Sequence, residues 1–193
     1  MFRRLKQFIP QEIKRTIRRL SRNVVDSMQY RLFCGSWRRE GARHLIFVCK
    51  GNICRSAFAE HYFRSRLDGR LKIESCGLDV DQGTSPPLAA IQAAARAGVD
   101  LRGHRSRGLG DSDISRADLI LPMEFWQYHR LVALFPDKKE NIRLLREFAP
   151  GASGLICNIH DPYGLSANDF DVCFRMIREA LNRLETRLGY LDV

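Results

Sequence analysis

Residues 44–60 read HLIFVCKGNICRSAFAE. An apolar run at 44–49 ends in Cys49. A Lys-Gly-Asn turn follows, and Arg55 and Ser56 open a segment with helical character. A short apolar run closed by a turn is the pattern of a strand buried on both faces. In an open α/β sheet the carboxyl ends of such strands are where ligands bind. Cys49 is at such an end. The loop 50–54 then places several backbone N–H groups around one point beside a helix N-terminus, a geometry that holds a tetrahedral anion. Gly51 allows close backbone approach, and Asn52 tolerates a left-handed conformation. Arg55 can fold back and offer a two-pronged fork to phosphate oxygens. The same positive field favours a thiolate, and Ser56 can donate a hydrogen bond to the sulfur. The loop reads as an anion cradle with a nucleophile at its floor. The plain alternative, a core thiol beside a solvated arginine, does not explain the Gly-Asn turn or the serine. No Gly-Lys-Ser/Thr follows, so the loop is not a nucleotide P-loop.

Outward from this stretch, strand and helix patterns alternate. Strands are expected at 44–49, 71–76, 118–122 and about 142–145. Helices are expected at about 55–68, 87–98, 123–134 and 168–188. That order implies an α/β fold: a four-stranded parallel sheet flanked by helices on both faces. The domain is expected to span 44–193.

Residues 1–43 differ in composition. They hold twelve Lys or Arg against three Asp or Glu, while the rest of the chain is nearly balanced. Pro10 favours a helix start, and Ile13, Ile17, Leu20, Val24, Met28 and Leu32 form one stripe at helical spacing. This segment is expected to be a basic amphipathic helical extension. An anionic membrane surface is a candidate partner for it, with an acidic protein or packing on its own domain as alternatives; nucleic acid is not expected. The six cysteines are irregularly spaced and pair with no zinc pattern, which fits a reducing, cytoplasmic setting, with peripheral membrane contact through residues 1–43. No apolar run is long enough to span a bilayer, and the basic N-terminus lacks the apolar block of a secretory signal.

Thiolate attack on a phosphate monoester needs a proton for the leaving oxygen. NIHDPYGLS, at 158–166, offers Asp161, with Pro162 fixing the direction of the residue before it. Asp-Pro-Tyr-Gly by itself is an ordinary turn, and gains meaning only beside the cysteine loop.

VCKGNICRS (48–56) and DPY (161–163), with SCG at 75–77, GHRSR at 103–107 and ADLILPM at 117–123, resemble the low-molecular-weight protein tyrosine phosphatase family over about 44–188. The resemblance implies hydrolysis of phosphotyrosine through a cysteinyl-phosphate, with no metal or other cofactor. It makes Cys49 the nucleophile, Arg55 the phosphate clamp, and Asp161 the general acid and then base. Lys50, Gly51, Asn52, Ile53, Cys54 and Arg55 would bind the phosphate, and Asn52, Ser56, Ser75 and His104 would support the loop. Cys54 matches a second loop cysteine able to trap oxidised Cys49 as a disulfide. Tyr163 matches an aromatic residue flanking the substrate ring, and Asp81 falls where the opposite wall of the pocket is expected. A bacterial tyrosine kinase is the implied kind of phosphotyrosine protein partner. The chain departs from the family at Ala57, where proline is usual, at the acidic DVDQ (79–82), where the pocket wall is usually apolar, and at Gly164, where some relatives have tyrosine. Two other readings compete. Arsenate reduction needs further thiols that 119–129 does not supply. A silent phosphotyrosine-binding module would have no use for all three catalytic residues.

Overall fold

The computed structural model describes residues 11–34, 37, 41–67, 69–80 and 83–190. In chain order the elements are α1 (Gln11–Phe33), β1 (His44–Cys49), α2 (Arg55–Arg66), β2 (Lys72–Gly77), α3 (Leu88–Arg96), β3 (Leu119–Pro122), α4 (Phe125–Leu134) and α5 (Ala167–Arg187). The strands pair in parallel in the order β2-β1-β3, so β1 is central, and all six of its residues are buried.

Successive strand residues point to opposite faces, and each face has its own core. Leu45, Phe47, Leu119 and Leu121 pack with α2, α3 and α5, where Phe58 stacks on Phe174 with ring centroids 4.0 Å apart. Ile46, Val48 and Ile120 pack with Phe125, Tyr128 and Leu131 of α4 and with Tyr30 of α1.

The sheet has three strands, not the four expected. The segment around 142 touches β3 at one point, through the Ile120–Ile142 bridge and the Arg143 N–H, which donates to Ile120 O at 2.9 Å. The next rung would need an N–H from residue 122, and Pro122 has none. A 3₁₀ turn begins at Leu145. On the side turned away from β3, the Leu144 N–H donates to the Tyr30 hydroxyl at 3.1 Å.

Helix α1 also differs from its amphipathic reading. It docks through polar residues: Asn23 and Ser27 are buried, as is Tyr30. The apolar stripe faces outward, with Ile17, Leu20, Val24, Met28 and Leu32 between 52% and 77% exposed. The side chain of Ile13 lies outside the described residues. Among the described residues no helix is long and apolar enough to cross a membrane.

Candidate active site

Cys49 ends β1 opposite Gly77 of β2. The loop after it turns back over the sheet edge, with Asp79 N donating to Lys50 O at 2.9 Å. Gly77 is required here: a Cβ at that position would lie 2.8 Å from Lys50 O and 3.0 Å from Asn52 N. Asn52 adopts a positive φ of 51°, which asparagine accepts more readily than most residues.

That fully buried asparagine is the hub of the loop. Its Nδ2 donates to Ser56 Oγ (2.9 Å) and Ser75 Oγ (2.7 Å), its Oδ1 accepts from Arg107 N (2.9 Å), and its carbonyl accepts from His104 Nε2 (2.8 Å). Burial lowers the pKa of His104, which keeps the ring neutral with its Nε2 proton on Asn52. Ser75 donates in turn to Glu60, whose carboxylate also takes two 3.0 Å bonds from Arg107. The support residues expected from the sequence thus meet around one loop. Glu60 and Arg107 complete the network and were not foreseen; the clue to Glu60 was a carboxylate on the inward face of α2.

The Cys49 sulfur is 3.0 Å from Ser56 Oγ and accepts from Asn52 N at 3.2 Å. Ser56 Oγ accepts from Asn52, and its own proton has two acceptors in reach, the Cys49 sulfur and, at 3.4 Å, Cys76 O. Helix α2 begins at Arg55, so its first-turn N–H groups, which have no partners within the helix, gather beside the thiol.

Arg55 is 1% exposed. Its Nη1 donates to Glu124 (2.6 Å) and to Ile159 O (3.0 Å), and its Nη2 pairs with Asp161 Oδ2 (2.6 Å). Its Nε is buried without a protein partner, so the Nε–Nη2 edge is the side that can fork onto an anion. Burial alone would lower the guanidinium's pKa, but Cys49, Glu124 and Asp161 raise it, and the charge is secure.

Cys49, Lys50, Gly51, Ile53, Cys54, Arg55, Asp79, Asp161 and Tyr163 line one cavity of about 210 Å³. Burial, together with Cys49 and Asp161, pushes the Cys54 thiol well up. Asp79 is held by Arg130. Asp81, the wall residue expected from the sequence, lies outside the described residues.

Glu124 was also not foreseen, although a charge directly after an apolar strand, in LILPME, marks a sheet end. Burial opposes ionisation of this carboxyl, but His160, Arg55 and Trp126 hold its pKa down at about 2. Its contribution to stability is therefore complete above about pH 4.5 and is lost as pH falls toward 2. Glu124→Gln is expected to cost about 2–4 kcal/mol at pH 6. In urea unfolding the gap from wild type should close between pH 4.5 and 2; a gap that does not change with pH would show that the carboxylate charge contributes nothing.

A thiol at a sheet end, a buried arginine with a free edge, and a carboxyl over the same cavity define a cysteine-dependent phosphatase. Residues 44–190 match the family model described as low molecular weight phosphotyrosine protein phosphatase, and the chain belongs to that family. A low molecular weight protein-tyrosine-phosphatase of Streptomyces coelicolor is 33% identical over 146 residues, 70% of this chain and 87% of that protein. The tyrosine phosphatase Wzb of Escherichia coli K30, solved in complex with sulphate, superposes with a TM-score of 0.69 at 28% identity, covering 77% of this chain and 100% of that one. The YwlE arginine phosphatase of Geobacillus stearothermophilus superposes with a TM-score of 0.69 at 25% identity, covering 77% and 94%.

Proposed function

We propose that this phosphatase hydrolyses phosphotyrosine in proteins, with Cys49 as nucleophile, Arg55 as phosphate clamp and Asp161 as general acid and then base. The observation that carries the reading is the meeting of all three side chains at one cavity, with Arg55 paired to the Asp161 carboxyl. The Nε–Nη2 edge of Arg55 and the loop N–H groups hold the phosphoryl oxygens. The Cys49 thiolate attacks phosphorus, the bond to the phenolic oxygen breaks, and Asp161 gives its proton to that oxygen. Asp161 then takes a proton from water, whose oxygen displaces the Cys49 sulfur and releases inorganic phosphate. Ser56 Oγ–H and Asn52 N–H stabilise the sulfur as nucleophile and as leaving group.

Asp161→Asn is expected to lower kcat/KM for phosphotyrosine by about 10²- to 10⁴-fold. The loss should shrink toward unity for dinitrophenyl phosphate, whose leaving group needs no proton. An equal loss on good and poor leaving groups would remove Asp161 as the acid.

A phosphoarginine substrate is the second reading, because YwlE of Geobacillus stearothermophilus, a structural neighbour, is an arginine phosphatase. A guanidinium needs free acceptors, yet Asp79 at the mouth is already bound by Arg130. Ile53 and Tyr163 offer apolar and aromatic surface, which fits a phenyl ring better. Phosphotyrosine and phosphoarginine peptides assayed side by side separate the two readings. On the first, a bacterial tyrosine kinase carrying phosphotyrosine is a fitting protein partner.

For α1 we propose peripheral contact with an anionic membrane on the cytoplasmic side. The outward stripe of α1, with exposed Arg18 and Arg22 on the same helix, suits insertion at a lipid interface. Each engaged Lys or Arg contributes about 1 kcal/mol before salt screening. The protein should co-sediment with phosphatidylglycerol vesicles at low salt, release at high salt, and ignore phosphatidylcholine vesicles. No binding to the anionic vesicles at low salt would end this reading.

A further inference from the structure

Helix α1 lies outside the family match, yet its polar face grips the segment that leads into Asp161. Ser27 Oγ accepts from the backbone N–H of Cys157 at 2.9 Å. Asp26 Oδ2 accepts from Asn158 Nδ2 at 2.8 Å. Asn23 Nδ2 meets His160 Nε2 at 3.2 Å. Positions 23, 26 and 27 share one helical face, and Asn23 and Ser27 are 5% exposed, so these contacts are sheltered from water. The opposite side of the segment is tied to the sheet end. Ile159 N donates to Met123 O (2.8 Å), and Phe125 N donates to Asn158 Oδ1 (2.7 Å).

The contacts continue into the site. With Asn23 donating to Nε2, the His160 proton sits on Nδ1, which is 3.6 Å from Glu124 Oε1; the other oxygen of Glu124 holds Arg55. Ile159 O holds the same guanidinium. The residue after His160 is Asp161.

We propose that α1 is a working part of the active site, with Asn23, Asp26 and Ser27 acting as positioning residues that hold 157–160 and so aim the Asp161 carboxyl at the leaving-group oxygen. This rests on the general-acid role of Asp161. A proton donor displaced by about 1 Å loses on the order of 10²-fold in rate. The loss falls only on substrates whose leaving group needs the proton.

The test uses the full chain and kcat/KM over aryl phosphates of graded leaving-group acidity. Asn23→Ala/Asp26→Ala should lose about ten- to a hundredfold on phenyl phosphate and phosphotyrosine, and less than about twofold on dinitrophenyl phosphate. Inhibition by inorganic phosphate should not change, since the cradle is untouched. Asp26→Asn, which still offers an oxygen to Asn158, should recover most of the Asp26→Ala loss. Ser21→Ala, on the exposed side of the same helix, should behave as wild type. If the double variant does not fold, Asp26→Ala alone, at the less buried position, carries the same comparison. A loss that is flat across leaving groups, or no loss, overturns the positioning role. Asp161→Asn in the same series tells the two failures apart. If it depends on the leaving group while the α1 variants do not, only the α1 proposal falls. If it too is flat, the acid assignment falls and the α1 proposal with it.

Discussion

Cys49→Ser should reduce turnover of any aryl phosphate on the order of 10⁴- to 10⁶-fold, the scale seen when a nucleophile is removed from an otherwise intact site. An alcohol has no accessible anion near neutral pH, and among the described residues the hydrogen-bond partners of the Cys49 sulfur are Ser56 Oγ and the Asn52 N–H. Ser56 sits 3.0 Å from the sulfur, but a neutral hydroxyl is not a base, and neither is an amide N–H. Binding of inorganic phosphate or vanadate should persist, because the cradle is built from the loop N–H groups and Arg55. Activity within tenfold of wild type would remove Cys49 as the nucleophile.

Arg55→Lys should cost about 10³- to 10⁵-fold in kcat/KM, the range for losing an arginine that neutralises a transferring phosphoryl group. It should also weaken phosphate binding, which Cys49→Ser should not. Three groups of the protein hold this guanidinium in one plane: Glu124, the Ile159 carbonyl and Asp161. That leaves the Nε–Nη2 edge for the ligand. An ammonium cannot contact all three and still present two parallel donors. Glu124 would keep a cation nearby, so thermal unfolding should separate a folding defect from a lost clamp. A lysine variant within tenfold of wild type would show that charge alone suffices.

Much of this site was legible from short-range pattern. An apolar run, a cysteine, a Gly-Asn turn and Arg-Ser can be read within nine residues because strand, turn and helix start are local events. β1, the start of α2 and the cradle follow from them. Asp161 was accessible only by chemistry, through the search for a proton donor for the leaving oxygen. Glu60, Arg107 and Glu124 were not accessible in that way. Each is one charged residue among many, and only the fold shows which partner it meets.

By itself, then, the sequence determined the parallel α/β arrangement, the strand that ends in Cys49, and the turn and arginine that follow it. These depend on periodicity and on groups a few residues apart. The tertiary structure alone decided three things. The sheet stops at three strands because the segment after Ile142 makes one contact with β3, Pro122 has no N–H for the next, and a 3₁₀ turn begins at Leu145. Glu124 and Asp161 meet on one guanidinium because the β3 end and the 157–161 segment converge there. Helix α1 turns its polar face inward, against its apolar periodicity, because the backbone of Cys157 and the side chains of Asn158 and His160 supply hydrogen-bonding partners there. Hydrophobic spacing tells which residues share a face, while the hydrogen-bonding groups waiting on the partner surface decide which face is buried.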